Sequence, residues 1–163
     1  MNIERLQQGF RLDFPLFICT LGLIGIGVIP LVDVDWAITE MERCINMGFR
    51  GVTVNCRAPQ GRAPYRDKMY DPFWARAAEM GVPVTLHSIT GWVPDPLHPH
   101  TPEEFGEAPR TALDIYHEIQ GTLAADFIFG GIFDRHPGLK IICSEFELSW
   151  MNYFMWRIDM LQT

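Results

Sequence analysis

Apolar runs of strand length alternate with segments of helical period along this chain, and this alternation limits its fold more than any other feature. We expect strands at Ile24–Leu31, Gly51–Val54, Val82–His87 and Leu139–Glu145. No two-residue hairpin turn of the Asn-Gly or Asp-Gly type joins two of these runs. Strands that are separated by helices are joined by right-handed crossovers, so the sequence predicts a parallel α/β sheet.

The first helix is bounded by clear signals. Asp33 and Asp35 are candidate N-caps, the helix should run to about Met47, and Gly48 supplies the stop. Within it the apolar side chains recur at helical spacing, as expected for a helix that packs on a sheet. One strand followed by one helix is the repeating unit of the predicted fold.

The later helices have similar signals. We expect Asp71-Pro72 to open a helix as cap and first residue, and Gly81 to close it. A further helix should begin at Pro109 and break at Gly121, and the last should begin at Ser149. Four such βα units in 163 residues make either a small doubly wound sheet or half of a (β/α)8 barrel, which typically needs about 250 residues.

Composition excludes some classes of function. The net charge of −7 comes from scattered acidic residues, and no basic block could neutralise a phosphate backbone, so we do not expect a nucleic-acid partner. The four cysteines show no CxxC spacing and three lie in or beside apolar segments. They are typical of reduced core cysteines in a cytoplasmic protein.

One segment raises the alternative of a membrane protein. The run Phe14–Val32 is uncharged and close to the roughly 20 residues that span a bilayer. However, Pro15 and Pro30 bracket it, and Asp33 and Asp35 follow where basic anchors would be expected. We therefore expect a central strand that is buried on both faces, which is continuously apolar in parallel sheets.

Two strands end in residues that could carry chemistry. His87 ends one strand and Glu145 ends the next, and ligands and metals bind at the carboxyl ends of parallel strands. The imidazole could bind a metal or move a proton, and the carboxylate could act as a base, although each could also be structural. Arg57, just past the second strand, is a candidate anchor for a substrate carboxylate. His98 and His100 form an HxH pattern, but they lie in a proline-rich loop, and we expect them to be solvated there and not to bind a metal.

Several motifs in order resemble the amidohydrolase-related family of metal-dependent TIM-barrel proteins, which includes aminocarboxymuconate semialdehyde decarboxylase. They are Leu23–Leu31, Ala37–Cys44, Met47–Val52, Tyr70–Trp74, Gly81–His87 and Phe129–Lys140. The resemblance implies a partial TIM-like (β/α)8 barrel of about four parallel βα units over residues 23–163, preceded by an atypical lead-in over residues 1–22. It also implies that the chain is an internal piece of a longer barrel.

The same resemblance implies roles for the strand-end residues. His87 matches the histidine that binds the metal from a middle strand of the barrel. Glu145 stands where the decarboxylases usually carry a catalytic histidine, and Ser144-Glu145 with Trp150 looks like the glutamate-bearing pattern Glu-Ser-Gly-x-Gly-Trp of other members. The family's HxH on the first strand and aspartate on the last strand have no counterpart in this sequence.

We therefore expect a metal-dependent hydrolase that acts on a small carboxylate-bearing or cyclic substrate, with His87 as metal ligand, Glu145 as base and Arg57 as substrate anchor. The alternatives are a decarboxylase of the same family and an inactive barrel remnant, which could pair with a second copy to cover its sheet edges. The implied cofactor is a divalent metal, with zinc expected, and one ligand alone would bind it weakly because sites normally need three or more.

Overall fold

The computed structural model describes residues 23–88, 90 and 117–162, and in them the chain forms a four-stranded parallel sheet with helices between the strands. The spatial order of the strands equals their order along the chain, and every neighbouring pair is parallel. The strands are β1 (Ile26–Val28), β2 (Gly51–Asn55), β3 (Pro83–His87) and β4 (Lys140–Ser144). The prediction of a parallel α/β sheet is confirmed.

The helices lie between and after the strands. α1 (Val34–Asn46) follows β1, and α2 (Asp71–Met80) follows β2 after a 3₁₀ turn. Between β3 and β4, residues 117–122 are helical and continue into a π-helix over Leu123–Ile128, which is followed by the short α3 (Ile132–Arg135). α4 (Met151–Gln162) comes after β4.

The first helix forms as its sequence predicts. The Asp33 carboxylate accepts a hydrogen bond of 2.9 Å from the Trp36 amide, which satisfies one of the free N–H groups of the first turn. Ala37, Met41 and Cys44 are buried, and Gly48 leaves the helix with a φ of +95°. Positive φ is favourable for glycine because it has no Cβ.

The start of α2 differs from the prediction. Tyr70 is the residue before the helix and Asp71 is its first residue, so Asp71 does not cap it. Its carboxylate instead accepts hydrogen bonds from Arg135 Nε, at 3.0 and 3.1 Å, and from His136 Nε2, at 3.1 Å. The far end agrees with the prediction, because Gly81 closes the helix with a φ of +65°.

The two faces of the sheet have different surroundings. Val52, Val54, Val84 and Leu86 point to the helices and are buried. The register places Val28, Thr53, Thr85 and Ile142 on the other face, where Val28 is 76% and Ile142 is 45% exposed. The expectation of a first strand that is central and buried on both faces is wrong, because β1 pairs only with β2 in the described sheet.

The helical segment before α3 and the last helix, α4, also differ from the prediction. The helix runs through Gly121 without a break, since a single glycine costs a helix only about 1 kcal/mol. α4 begins at Met151, two residues after the predicted start at Ser149. In it Phe154 and Ile158 are buried, whereas Met155 and Leu161 are 48% and 62% exposed. The part of this region that precedes residue 117, including Pro109, lies outside the described residues.

An aromatic cluster fixes the loop that leaves β2. The ring of Tyr65 packs edge-to-face on Tyr70 and on Trp74, with centroids 5.3 and 5.4 Å apart, and Trp74 packs in the same way on Phe127. All four side chains are at most 1% exposed. The cluster therefore joins the loop, α2 and the π-helix into one core.

No helix in the described part of the chain is long and apolar enough to cross a membrane. The first half of the uncharged run Phe14–Val32 lies outside the described residues. The second half contains β1 and the residues that lead into α1.

Gly130 has no room for a side chain, and we predict that Gly130→Ala destabilises the fold by about 1–3 kcal/mol. An added Cβ would lie 2.5 Å from the Ala125 carbonyl oxygen and 2.7 Å from Arg66 Cβ. Gly121→Ala is the matched control, because nothing lies within 4 Å of the position that its Cβ would take and alanine favours a helix. Urea unfolding of both variants checks this, and equal stability of the two would contradict it.

The carboxylate of Asp71 makes the free energy of unfolding fall in acid. Partial burial acts to raise its pKa, but hydrogen bonds from His136 and Arg135 outweigh this and lower the pKa below its ordinary value. Its contribution is therefore present above the ordinary aspartate pKa of about 4 and is lost as pH falls through the lowered value.

We predict that Asp71→Asn lowers the free energy of unfolding by about 1–2 kcal/mol at pH 7. The difference from wild type should shrink as the pH falls through the lowered pKa of Asp71, because the wild-type carboxylate is then protonated as well. Urea unfolding across this range measures it. Asp134→Asn is the control, since Asp134 is an exposed acid in the same region. If the difference in unfolding free energy between wild type and Asp71→Asn did not change with pH, the role of the Asp71 charge would be refuted.

Candidate functional site

The carboxyl ends of β2, β3 and β4 form the candidate site. Residue pairing aligns Asn55 with His87 and His87 with Ser144, so these three residues share one edge and one face of the sheet. His87 is the last residue of β3, and its side chain is 39% exposed. This is the edge at which parallel sheets present catalytic groups.

The hydrogen bond made by one ring nitrogen fixes the state of the other. His87 Nδ1 lies 2.8 Å from the carbonyl oxygen of Ser88. A carbonyl oxygen can only accept, so Nδ1 carries the proton and donates it. In the neutral ring, Nε2 then presents a lone pair to the site, which is the orientation that metal-binding histidines adopt.

Glu145 faces this lone pair. Its Oε2 is 3.6 Å from His87 Nε2, which is too far for a hydrogen bond, and it accepts a bond of 3.0 Å from Ser88 Oγ. Ser88 is 4% exposed and contacts both partners, through its carbonyl and its hydroxyl. Ser88 is not among the site residues predicted from the sequence, although its place directly after His87 at the end of the strand is a usable signal.

The backbone at Glu145 is in an uncommon conformation. β4 ends at Ser144, and Glu145 follows with a φ of +62°, while Glu147 has a φ of +54°. Positive φ is rare in residues other than glycine and costs about 1 kcal/mol or more. The strand was expected to include Glu145, and the alternation of strand side chains does not extend to it because the turn begins there.

The donor chemistry of this pair suits a divalent metal but does not complete a site. Two atoms that each lie about 2.0–2.2 Å from one ion are roughly 3–4 Å apart, and the separation of 3.6 Å falls in that range. Metal sites need three or more protein ligands in most cases. No group of three or more candidate ligands occurs among residues 23–88, 90 and 117–162, so the described residues fit part of a metal site only.

Thr90 joins the exits of two strands. Its hydroxyl donates to the carbonyl of His87, and the Cys56 amide donates to the Thr90 carbonyl oxygen at 3.1 Å and to Oγ1 at 3.2 Å. Cys56 directly follows β2, so these bonds hold the end of β2 against the residues after His87. The site therefore has a fixed wall on this side.

Arg57 is paired elsewhere. Its Nε contacts Oε1 of Glu118 at 2.9 Å, on the helical segment between β3 and β4. The pKa of the Glu118 carboxyl is raised, because the effect of burial is larger than the opposing effect of the Arg57 charge. The structure brings His87 and Glu145 together, and it directs Arg57 to a neighbouring groove.

The other described histidines and two buried cysteines have structural surroundings. His136 bonds to Asp71, and His117 lies exposed on its helix; His98 and His100 lie outside the described residues. Burial raises the pKa of the Cys44 thiol to about 11 and that of Cys56 to about 12. These thiols are protonated at neutral pH, and Cys44 and Cys56 are free in the part of the chain that the structure describes.

Comparison with known proteins gives consistent matches over the same region. The amidohydrolase family model matches residues 19–162. A gamma-resorcylate decarboxylase from Rhizobium sp. (strain MTP-10005) is 32% identical over 143 residues, which cover 83% of this chain and 42% of that protein. The chain thus spans about two fifths of the length of this curated relative.

Two solved structures superpose on the fold. An amidohydrolase from Mycobacterium avium subsp. paratuberculosis K-10 aligns with a TM-score of 0.66 and 28% identity, covering 85% of this chain and 36% of that one. A 2,6-dihydroxybenzoate decarboxylase from Rhizobium aligns with a TM-score of 0.59 and 29% identity, covering 83% and 42%. The four βα units therefore correspond to part of a TIM barrel, as predicted.

The conformation of Glu145 leads to a test of backbone strain at the site. We predict that Glu145→Gly is more stable than Glu145→Ala by about 1 kcal/mol, because both variants remove the carboxylate but only glycine accepts a positive φ without cost. Urea unfolding of the two variants measures the difference. If alanine were as stable as glycine, Glu145 would not be strained.

Proposed function

Because this chain belongs to the amidohydrolase family, we propose that it is the part of a metal-dependent decarboxylase that carries one metal ligand, His87, and one proton-transferring carboxylate, Glu145. The observation that carries the proposal is the hydrogen bond from His87 Nδ1 to the Ser88 carbonyl, at 2.8 Å. It leaves Nε2 with a free lone pair that faces Oε2 of Glu145.

The substrate class follows from the relatives. The gamma-resorcylate decarboxylase and the 2,6-dihydroxybenzoate decarboxylase are named for the removal of a carboxylate from a hydroxylated aromatic ring. We propose a small hydroxylated aromatic acid as the substrate of the whole protein. Arg57 remains a proposed anchor for the carboxylate, supported by its position two residues beyond β2 and by its exposed guanidinium.

Glu145 has the geometry of a proton carrier. Its side chain is 66% exposed and one carboxylate oxygen accepts a hydrogen bond from Ser88 Oγ, so the group can exchange protons with a substrate above the sheet edge. Loss of CO₂ from an aromatic acid requires a proton at the ring carbon that carried the carboxylate, and protonated Glu145 would deliver it. A bound divalent cation would supply Lewis acidity to the substrate oxygens.

Hydrolysis is the second candidate, and Glu145 is the observation that favours it. A strand-end carboxylate that faces a histidine nitrogen can accept a proton from water, which is the first requirement of a metal-dependent hydrolase. The two candidates differ in the direction in which Glu145 moves the proton. Decarboxylation is preferred because the curated relative from Rhizobium is a decarboxylase.

Several parts of this proposal depend on residues outside those described. The further metal ligands would come from other strands of the barrel. The predicted domain boundaries, residues 23–163 after a lead-in over residues 1–22, also stay a prediction. Zinc as the ion, a cytoplasmic location and pairing of two copies stay predictions. An inactive remnant is the outcome expected if no further ligands exist.

We predict that divalent metal, Zn²⁺ or Mn²⁺, binds the 163-residue chain weakly and that His87→Ala removes this binding. Isothermal titration with each metal measures it. His117→Ala is the matched control because His117 is exposed on a helix, and it should bind as wild type does. Equal binding by both variants, or none by the wild-type chain, would contradict the assignment of His87.

The coding sequence on either side offers an independent check. An HxH that follows a strand upstream and an aspartate that ends a strand downstream would support a complete metal site. With such flanks expressed, release of CO₂ from 2,6-dihydroxybenzoate (gamma-resorcylate) separates decarboxylation from hydrolysis. Flanks without these ligands would leave the inactive remnant as the better account.

A further inference from the structure

A groove beside the strand ends contains three arginines. It has a volume of about 470 Å³ and lies between the loop after β2 and the helical segment 117–128. The loop contributes Arg57, Arg62 and Arg66, and the helical segment contributes Glu118, Thr122 and Asp126. We name this the arginine groove. It shares no residue with the pair formed by His87 and Glu145.

Two of the guanidinium groups are held in place by carboxylates. Arg57 Nε contacts Glu118 at 2.9 Å and Arg66 Nη1 contacts Asp126 at 2.8 Å. Both carboxylates are only 10% exposed, whereas the arginines are 65% and 50% exposed. Each pair uses one edge of a guanidinium, which has five N–H donors, so other donors remain available to a ligand in the groove.

The third arginine supplies uncompensated charge. Arg62 is exposed and has no carboxylate partner among the described residues. Among the described residues that line the groove, three arginines against two carboxylates give a net positive charge. An anion that enters would meet one free guanidinium and two that are already oriented.

Hydrogen bonds hold the loop after β2, which forms one wall of the groove. Tyr65 is fully buried and its hydroxyl donates to the Asn55 carbonyl at 2.9 Å, while the Tyr70 hydroxyl donates to the Ala63 carbonyl at 3.1 Å. Arg135 donates to the carbonyl of Arg66 at 3.1 Å. A loop fixed in this way loses little entropy when a ligand binds.

The opposite wall contains the π-helix. Asp126 lies within it. π-helical turns are rare in proteins, and those that occur are often found at functional sites. Gly130 lets this segment approach Arg66, since its absent Cβ would be 2.7 Å from Arg66 Cβ. Both features serve the contact between Asp126 and Arg66.

We propose that the arginine groove binds a small oxyanion, a carboxylate or a phosphate, independently of the metal site. Arg62 is the principal contact, and Arg57 and Arg66 add oriented N–H donors. Fork-shaped guanidinium groups match the two oxygens of a carboxylate and those of a phosphate equally well, so the shared chemistry is the oxyanion. This assignment gives Arg57 an anion in the groove, in place of the substrate carboxylate that its sequence position predicts.

The experiment titrates the 163-residue chain with inorganic phosphate and, separately, with 2,6-dihydroxybenzoate, by isothermal titration without added metal. We expect binding of at least one anion and an affinity about tenfold weaker in Arg62→Gln. Arg50→Gln is the matched control, because Arg50 is also exposed but precedes β2 at the opposite end of the strand. It should bind as wild type does.

Further variants distinguish the outcomes. Arg62→Lys should retain part of the affinity, because it keeps the charge and loses the fork. Phosphate binding alone would indicate a phosphorylated ligand, and carboxylate binding alone a substrate-like acid; both support the groove. No binding of either anion, or equal loss in Arg62→Gln and Arg50→Gln, would overturn it.

The metal-site proposal can fail separately. His87→Ala should leave anion binding by the groove unchanged, because His87 does not line it. Loss of anion binding in His87→Ala would overturn the independence of the two sites. Far-UV circular dichroism of each variant confirms that it is folded before titration.

Discussion

The parallel backbone pairing of β2, β3 and β4 places the functional groups, and the rest of the described structure depends on it. Pairing of Asn55 with His87 and of His87 with Ser144 sets the strand ends level with one another. The residues that follow, Ser88 and Glu145, are then close enough to bond at 3.0 Å. A shift of one residue in this register would turn His87 to the helix-covered face and separate the pair.

Much of the fold could be predicted from the sequence because its signals are local. Asp33 and Gly48 bound α1, and Gly81 ends α2, as capping chemistry and glycine conformation require. The burial of β1 could not be predicted in the same way. An apolar strand has the same sequence whether its faces are covered or open, so the 76% exposure of Val28 depends on what lies beside it.

The candidate site shows the same division. The position of His87 at the end of a strand was visible in the sequence, and the structure confirms its place there. The partner of Arg57 was not visible, since Glu118 is distant in the chain and approaches only through the packing of the helical segment. The positive φ of Glu145 was also hidden, because it belongs to a residue type that seldom adopts it.

The π-helix has a consequence for the direction of the side chains that follow it. Its hydrogen bonds join residue i to residue i+5, so a π-helical turn has one residue more than an α-helical turn. In a homologue with one residue fewer in this segment, a regular helix would rotate the following side chains by about 100°. The equivalent of Asp126 would then leave Arg66, so an alignment gap between residues 123 and 128 would mark relatives that lack the arginine groove.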